Sequence, residues 1–401
     1  MQTANQNSYW KVKTKIERTY PYLTSDMSCD VAIVGGGITG AITAFFLAKE
    51  GLNIAVFDKN IVGYGNTILS TAMMGYDLDV NMTRLEKIVG KEKSQKIYHL
   101  CMEAIQKIEN MVQEVNQDVG FERQDVMYYS NKFMQKSNMA KEYHLRKEAG
   151  FDTLFLERHN LVNLNSAILT KNAGAVMDPY KFTQEIFRYL DKLNNVRIFE
   201  NTQIEEIVPK YNKVECVTNN FFHIEANSVI VTCGIQSLKI IPLPVELYQK
   251  FTVVTKPLPK LKEANIRFCA KDTVEPYHNV RFTPSGRIIF SGEDLKINDR
   301  KLDDKYLRLV AKDRYKKLSN ILFKTFNLTE QADIDYCFNG VYANTKDTLP
   351  VIDELPNMPN CFCNLCLGTN GILYSVIGAN ILKDAVKGFY TKDMYLFKMN
   401  R

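Results

Sequence analysis

The chain has 401 residues, of which 45% are hydrophobic and 24% are charged, and its formal net charge is +6 at pH 7. These values suit a globular protein of one or two domains, and the lack of a dense basic block argues against nucleic-acid binding. The longest apolar runs are strand-length and the N-terminal region is polar, so we expect neither a transmembrane helix nor a signal peptide. Nine scattered cysteines, an odd number, predict reduced thiols in a cytoplasmic protein.

The first predicted elements surround a glycine-rich turn in residues 30–40, DVAIVGGGITG. Residues 31–34 are apolar without alternation, which is typical of a buried parallel strand, and apolar residues at helical spacing follow the turn. Gly35, Gly37 and Gly40 have the spacing G-x-G-x-x-G, which permits a tight turn, a close approach of backbone to phosphates, and close packing of helix on strand. The helix N-terminus favours an anion, so this stretch predicts a pyrophosphate site.

A second predicted strand, residues 53–58, follows the helix and ends at Asp58. An acidic residue at this distance from the glycine turn accepts the ribose hydroxyls of an adenine nucleotide in dinucleotide-binding domains. The alternative is a strand–helix–strand unit with a glycine-rich turn and no ligand. The coincidence of three glycines, the flanking elements and the carboxylate favours the nucleotide.

The rest of the chain alternates between helical and strand patterns. Helices are predicted over residues 85–119, 134–149, 181–193, 303–326 and 372–386. Strands are predicted over residues 125–129, 196–199, 203–208, 214–218, 228–234, 250–256 and 361–367, with a hairpin over residues 278–292. Residues 365–372 form a second glycine-rich junction between a strand and a helix, which could place another helix N-terminus on the same cofactor.

Three cysteines, Cys361, Cys363 and Cys366, have the spacing C-x-C-x-x-C. A metal site is one interpretation. The other is a buried strand in which cysteine acts as a small hydrophobic residue. Because Cys361 and Cys363 would share one face of a strand and Cys366 the other, and no fourth ligand is near, we expect no metal.

The order of these elements predicts an α/β fold with a discontinuous nucleotide-binding domain. Its segments are residues 1–84, 170–240 and 337–401. The first segment supplies the Rossmann-like βαβ unit with its G-x-G-x-x-G turn. Residues 85–169 and 241–336 would form an α+β substrate domain, or cap, with a mainly antiparallel sheet that covers the cofactor.

The chain resembles the FAD-dependent oxidoreductases of the D-amino-acid oxidase, glycine oxidase and sarcosine oxidase superfamily. The resemblance covers nearly the whole chain and rests on motifs in the expected order. These motifs are residues 30–40, Asp58, the loop at 63–73, the helix start at 178–180, the strand at 229–234, the late motif at 340–352 and the closing loop at 368–372. The Thr-Ala ending of the loop is similar to a bacterial branch often fused to a Rieske iron–sulfur domain, which this sequence does not include.

The resemblance implies a cofactor, FAD, and the residues that bind it. The binding residues that it implies are Gly35, Gly37, Ile38, Thr39, Gly40, Asp58, Lys59, Gly65, Asn66, Thr67, Thr71, Ala72, Ile204, Cys233, Gly234, Gly368, Thr369, Asn370, Gly371 and Ile372. Monomeric sarcosine oxidases attach the flavin to a cysteine shortly before the threonine of the late motif. Gly340 stands there in this chain, so we expect non-covalent FAD.

The family's chemistry implies oxidation of the C–N bond of an amine or amino acid. Hydride passes to flavin N5, and the imine product is hydrolysed. The backbone of residues 369–372 and the dipole of the following helix would stabilise negative charge at the flavin N1/O2 edge. The partners implied are a small amine or amino-acid substrate and oxygen or another electron acceptor.

Two departures from the family pattern bear on the substrate and the acceptor. Tyr342 stands where glycine and D-amino-acid oxidases have an arginine for the substrate carboxylate, so we take Arg281 on the hairpin as its replacement. His278 and Tyr277 precede it, and either could donate a hydrogen bond to substrate. The candidate catalytic residues are therefore Arg281, Tyr342 and His278. Residues 286–290 lack the lysine with which the sarcosine oxidase branch activates oxygen, which favours a dehydrogenase.

Two alternatives stay open from the sequence. The missing arginine and lysine suit a flavin-binding electron-transfer subunit without its own amine turnover. The glycine turn alone also suits an NAD(P)-dependent dehydrogenase, although the loop after Asp58 and the closing residues 368–371 argue against it.

Overall fold

The computed structural model describes residues 8–297, 304–328 and 332–401. Its α-helices are α1 Tyr9–Lys13, α2 Ile38–Ala48, α3 Met82–Val89, α4 Lys91–Val115, α5 Lys136–Glu148, α6 Pro179–Leu190, α7 Pro259–Ala264, α8 Asp304–Thr325 and α9 Gly371–Ala385. The strands of the first half are β1 Met27–Val34, β2 Ile54–Phe57, β3 Met73–Gly75, β4 Glu122–Ser130, β5 Thr153–Leu156, β6 Ser166–Val176 and β7 Val196–Phe199. Those of the second half are β8 Ile204–Pro209, β9 Val214–Thr218, β10 His223–Val231, β11 Glu246–Thr255, β12 Phe268–Asp272, β13 Asn279–Phe282, β14 Ile288–Ile297, β15 Ile334–Asn344, β16 Val351–Glu354 and β17 Cys361–Leu365.

The first sheet has eight strands, six of them in the order β16-β17-β10-β1-β2-β7. Of the other two, β9 pairs with β10, and β8 pairs with β9. Its centre is parallel, from β17 through β10, β1 and β2 to β7. Strand β1 is buried on both faces, since Ile33 packs with α2 and α9 while Ala32 packs with the β8–β9 side. Burial on both faces explains why residues 31–34 are apolar without alternation, and it confirms the predicted strand.

The second sheet has nine strands, in the order β15-β11-β14-β13-β12-β4-β6-β3, with β5 paired to β6. Every pair is antiparallel except β12 with β4, which is parallel. One face packs on α8, where Phe251 and Phe290 meet Leu318 and Leu322. The opposite face is turned toward the first sheet and its helices, where Val254, Ile289 and Phe338 join the main hydrophobic core. The predicted combination of a Rossmann-like layer and a mainly antiparallel sheet is confirmed.

The predicted elements agree with the structure in type more often than in bounds. The predicted helix over residues 85–119 is two helices, α3 and α4, because Gly90 between them has a φ of +87°. Strands β3, β5, β6, β12, β15 and β16 were not predicted. The first residue of the predicted helix over 303–326 lies outside the described residues, and the rest agrees with α8.

The strands divide between the sheets nearly as the predicted domains do, with three differences at the edges. Strand β6 of the second sheet runs past residue 170 into the second nucleotide-binding segment. Strand β3 lies in the first nucleotide-binding segment yet pairs with β6 of the second sheet. Strand β15 runs past residue 337 and pairs with β11 of the second sheet. The domain limits themselves stay a prediction. In the described part of the chain, no helix combines the length and apolarity that a membrane span requires.

Candidate active site

The glycine turn joins β1 to α2 and leaves no room for a Cβ at Gly36 or Gly40. Gly35 has a φ of +114°, and its N–H donates to the Phe57 carbonyl at 2.8 Å. A Cβ on Gly40 would lie 1.9 Å from the Gly35 carbonyl oxygen. The first turn of α2 therefore packs directly on the end of β1, as the glycine spacing predicted.

The N-terminus of α2 is open to an anion. Its N-cap residue is Gly37, which has no side chain to accept from the helix. The Ile38 N–H donates to Thr67 Oγ1 at 3.0 Å, which brings the loop at residues 65–69 against the helix start. Free N–H groups at such a terminus carry partial positive charge that favours phosphate.

Asp58 ties the turn to the end of β2. Its carboxylate accepts from the N–H groups of Gly36 and Asn60, both at 2.8 Å. Burial raises the pKa of Asp58, against the effect of these two hydrogen bonds. The carboxylate stands at the carboxyl edge of the first sheet, where the ribose of a nucleotide is expected.

Several of the other residues predicted to hold the cofactor lie in different parts of the fold. Cys233 Sγ donates to the Val34 carbonyl, and Gly234, with a φ of +56°, begins the 3-10 helix that follows β10. Asn66 Nδ2 donates to the Val341 carbonyl at 2.9 Å. Two others differ in exposure, because Lys59 is exposed and Ile204 is buried on β8. Their contact with a cofactor stays a prediction.

A second helix N-terminus lies beside the first. Helix α9 begins at Gly371, after Gly368 has turned the chain with a φ of +86°. Thr39 in the first turn of α2 and Ser375 in α9 share a hydrogen bond of 2.8 Å between their hydroxyl oxygens. The two glycine-rich junctions therefore meet at one place, although 331 residues separate Gly40 from Gly371 in sequence.

The start of α9 already holds one carboxylate. The Thr369 N–H donates to Asp79 Oδ2 at 2.7 Å, and the Thr369 hydroxyl also bonds Asp79. Asn370 Nδ2 donates to the Asp77 carbonyl at 3.0 Å, which fixes the closing loop on the segment after β3. An acidic side chain is favourable at a helix N-terminus, and this one was not predicted.

A pocket lies between the closing loop before α9 and the second sheet. It is lined by residues from β3 and the segments on either side of it, from the closing loop, and from strands of the second sheet. These residues are Thr71, Met73, Gly75, Asp77, Asp79, Lys250, Lys271, Asn279, Thr369 and Asn370.

The wall from the second sheet is a polar row that crosses five strands. Thr252 of β11 is opposite Ser291 of β14, Ser291 is opposite Asn279 of β13, Asn279 is opposite Lys271 of β12, and Lys271 is opposite Tyr128 of β4. Opposite partners share a face of the sheet. Because the neighbours Phe251 and Phe290 pack on α8, the row points away from α8 and toward the pocket.

Lys271 is the buried cation of this wall. Its side chain is 6% exposed, and Nζ lies 3.2 Å from Asp77 Oδ2 and 4.9 Å from the ring centre of Tyr277. Nζ also donates to the Leu78 carbonyl. Asp77 is just as buried, so the two charges neutralise each other at the pocket surface.

A second charged group stands at the other end of the wall. Lys250 Nζ lies 3.3 Å from Asp294 Oδ2, and the Tyr342 hydroxyl donates to the same oxygen at 2.6 Å. Burial and the Asp294 charge raise the pKa of Tyr342, so its hydroxyl stays protonated. At the position of the family's arginine, the chain therefore has a Tyr342–Asp294–Lys250 cluster.

The structure shows backbone partners for Arg281. Its side chain is 2% exposed, and Nη1 donates to the carbonyls of Thr71, Ala72 and Met177 at 3.0, 2.9 and 2.8 Å. Burial lowers the pKa of Arg281 to about 10. The guanidinium therefore holds the loop that lines the pocket, and its expected contact with a substrate carboxylate stays a prediction.

The structure corrects the role expected of His278. Strand side chains alternate, so Asn279 faces the pocket while His278 faces α8. His278 Nδ1 lies 2.7 Å from Asp272, Nε2 lies 3.3 Å from Glu293, and the ring stacks on Phe290. The residue is buried in this network and does not touch the pocket.

The His278 network predicts a pH-dependent contribution to stability. Burial lowers the pKa of His278, but the hydrogen bonds and charges of Asp272 and Glu293 outweigh it and leave the pKa raised. A raised pKa stabilises the fold below the unfolded value of about 6.5, and the contribution is lost as pH rises through the folded value. We expect H278Q to lower the free energy of unfolding by about 2 kcal/mol at pH 6 and by less at pH 9. Urea unfolding at both pH values checks this, and an equal loss at both would contradict it.

The sequence did not predict the charged and amide side chains that line the pocket after β3 and on the second sheet. The missed residues are Asp77 and Asp79 after β3, and Lys250, Lys271 and Asn279 on the second sheet. One signal was available: Lys271 stands in the strand FCAKD, where a lysine among apolar residues is uncommon unless it is paired. Residues 286–290 contain no lysine. Two lysines of other strands, Lys250 of β11 and Lys271 of β12, nevertheless line the pocket.

Comparison with known proteins identifies the fold and a family. The model of the FAD-dependent oxidoreductases, DAO, matches residues 30–385. The crystal structure of glycine oxidase from Geobacillus kaustophilus superposes with a TM-score of 0.76 at 18% identity, covering 93% of this chain and 99% of that one. Both glycine-rich junctions and all the residues that line the pocket lie inside the matched range.

Two curated relatives differ in how far the likeness extends. Gamma-glutamylputrescine oxidoreductase of Escherichia coli is 20% identical over 411 residues, which cover 96% of this chain and 90% of that protein. A putative Rieske 2Fe-2S iron–sulfur protein of Bacillus subtilis is 28% identical over 229 residues, 56% of this chain. The match spans only 43% of the length of this Rieske relative.

Proposed function

Because the chain belongs to the family of FAD-dependent oxidoreductases, we propose that it oxidises the carbon–nitrogen bond of an amine or an amino acid. The observation that carries the proposal is the pocket, in which the closing loop before α9 faces a charged wall of the second sheet. The relatives include a gamma-glutamylputrescine oxidoreductase and a glycine oxidase, whose names give the amine and amino-acid classes. Membership of an FAD-dependent family overturns the alternative of an NAD(P)-dependent dehydrogenase.

The residues at the two junctions fit FAD. The Gly35–Gly40 turn has no room for a Cβ at Gly36 or Gly40, which suits a close approach of its backbone to a pyrophosphate, and the N-cap residue Gly37 makes no side-chain hydrogen bond to α2. Asp58 stands at the ribose position, and Thr71 and Thr369 line the pocket that would receive the flavin. When bound, FAD supplies the acceptor for a hydride from the carbon next to the substrate nitrogen.

The second sheet supplies the groups that orient the substrate. We place the substrate against Asn279 and the two lysines, Lys250 and Lys271, since these are the polar side chains that the sheet presents to the pocket. Asn279 can accept an N–H of the substrate amine, and Lys250 can donate to a carboxylate if one is present. Lys271 Nζ lies 3.2 Å from Asp77 Oδ2, and we place this ion pair beside the polar end of the substrate.

Anaerobic reduction of the flavin tests this function. The protein is reconstituted with FAD and mixed, without oxygen, with a panel of amines, N-methyl amino acids and D- and L-amino acids. We expect one class to bleach the flavin absorbance, with an imine or its carbonyl hydrolysis product formed in equal amount. Admission of air then decides between oxygen and another electron acceptor. A flavin that no member of the panel reduces would contradict the proposal.

A second candidate function is electron transfer without amine turnover. The likeness to a Rieske 2Fe-2S protein over 229 residues favours it. In that case the bound flavin would accept electrons from a reduced iron–sulfur protein but from no amine, so the same anaerobic experiment separates the two functions.

We also propose a reducing, cytoplasmic environment. The support is that all nine cysteines are free thiols, and six of them are buried. Buried thiols on neighbouring strands persist as thiols in a reducing compartment. Cell fractionation with an antibody against the chain tests this.

A further inference from the structure

Arg281 joins three segments beneath the loop that lines the pocket. Its Nη1 donates to the carbonyls of Thr71 and Ala72 in the loop and to the carbonyl of Met177, the residue that follows β6. Ala72 has a φ of +49°, a left-handed conformation that a residue with a Cβ adopts only when its surroundings hold it there. The carbonyls of Thr71 and Ala72 belong to the two peptide groups on either side of Ala72 Cα, so the guanidinium helps to hold this residue in its strained conformation.

The N-terminal helix completes the support. Trp10 is 1% exposed, its Nε1 donates to the Ser70 carbonyl at 2.7 Å, and its ring centre lies 5.3 Å from the Arg281 guanidinium carbon. Three consecutive carbonyls therefore accept hydrogen bonds from buried side chains. The carbonyl of residue 70 accepts from Trp10, and those of residues 71 and 72 accept from Arg281. Trp10 lies before residue 30, where the family match begins, so this part of the support belongs to the chain rather than to the matched family domain.

The charge of Arg281 is not balanced by a salt bridge. Within residues 8–297, 304–328 and 332–401, no ion pair involves it, and its Nε is buried without a hydrogen bond. Asp178, the carboxylate that acts on it most strongly through space, is itself bound to Thr14 at 2.8 Å and to Lys13 at 3.4 Å. The guanidinium therefore leaves a net positive field in a low-dielectric interior.

We propose that Arg281 is a positioning residue for the flavin, which holds the loop at residues 70–72 in its binding shape and makes the bound flavin easier to reduce. The guanidinium Nη1 lies 3.0 Å from the carbonyl oxygen of Thr71, a residue that lines the pocket. A reduced flavin gains negative charge, and a buried cation nearby favours it over the oxidised form. The inference rests on FAD binding, and it is independent of which substrate is oxidised.

Four variants of the holoprotein separate charge from hydrogen bonding. R281Q removes the charge and keeps amide donors, R281K keeps the charge without the planar fork, and W10F removes only the donor to the Ser70 carbonyl. R287M is the matched control, since Arg287 also donates to a backbone carbonyl and lies 5.7 Å from an α1 ring, Tyr9, but is paired with Asp335 at 2.6 Å. The FAD dissociation constant is measured by titration of the apoprotein, and the flavin midpoint potential by dye equilibration.

R281Q should raise the FAD dissociation constant and lower the midpoint potential. A tenfold loss of preference for the reduced flavin corresponds to a fall of about 30 mV for a two-electron couple. R281K and W10F should weaken FAD binding about tenfold, the equivalent of one or two hydrogen bonds, and keep the wild-type potential. R287M should change neither quantity.

Two results would overturn the proposal. One is an R281Q holoprotein with the wild-type potential, which would leave Arg281 a purely structural residue. The other, decisive also if R281Q does not fold, is an R281K holoprotein whose potential falls despite the retained charge. Neither measurement uses an amine, so these failures are distinct from failure of the flavin-reduction screen.

Discussion

Replacement of Gly40 by alanine is expected to abolish FAD binding and to destabilise the chain by at least about 3 kcal/mol, because overpacking against backbone cannot be relieved by a side-chain movement. The added Cβ would lie 1.9 Å from the Gly35 carbonyl oxygen and 3.1 Å from Thr232 Oγ1. Helix α2 must then move away from the end of β1, and its N-terminus moves with it. Thermal unfolding and the ratio of flavin to protein absorbance after purification measure the two effects.

Gly65 offers a matched control for that experiment. It lies in the loop against the start of α2, and a Cβ there would meet no heavy atom within 4 Å. The G65A variant should therefore keep the wild-type melting temperature, and any loss of FAD from it reports a contact with the cofactor. If G40A retained FAD at the wild-type ratio, the α2 N-terminus could not be the pyrophosphate site.

Replacement of Lys271 by methionine should lower the rate of flavin reduction by substrate at least about a hundredfold, the usual result of removing a preorganised charged group from an active site. Stability should also fall by about 3–5 kcal/mol, because Asp77 is left as a buried, unpaired carboxylate. Stopped-flow reduction under anaerobic conditions and urea unfolding give the two quantities separately.

Two controls separate these effects of Lys271. In the double variant K271M/D77N the unpaired charge is gone, so most of the stability should return while the rate stays low. In K296M a lysine of β14 that pairs with Glu246 on the surface is removed, and neither quantity should change. Recovery of the wild-type rate in the double variant would show that Lys271 serves only to neutralise Asp77.

The cofactor half of the site was predictable because local sequence determines it. The turn at residues 35–40 needs glycine for steric reasons that a single chain segment displays, and the carboxylate of Asp58 follows at a fixed distance along the next strand. The resemblance then ordered the later motifs, and the contact between Thr39 and Ser375 shows that the two distant junctions do meet.

The substrate half was not predictable because it depends on pairing between distant strands. The polar row contains Asn279 and Lys271 only through the registers of β12, β13 and β14, which no local pattern fixes. Alternation along β13 would have placed His278 and Arg281 on opposite faces, so at most one of them could face the pocket. The burial of Arg281 under the loop depends on residues 10 and 177 and could not be foreseen.

His278 affects the shape of the pocket although it does not line it. It reaches Asp272 on β12 and Glu293 on β14, the two strands between which β13 lies. If β13 slipped by one residue, every side chain on it would change faces, and Asn279 would be lost from the pocket wall. The contacts among these three buried groups thus help to fix the register of β13 between its two neighbours. The histidine expected to perform chemistry instead determines which of its neighbours can.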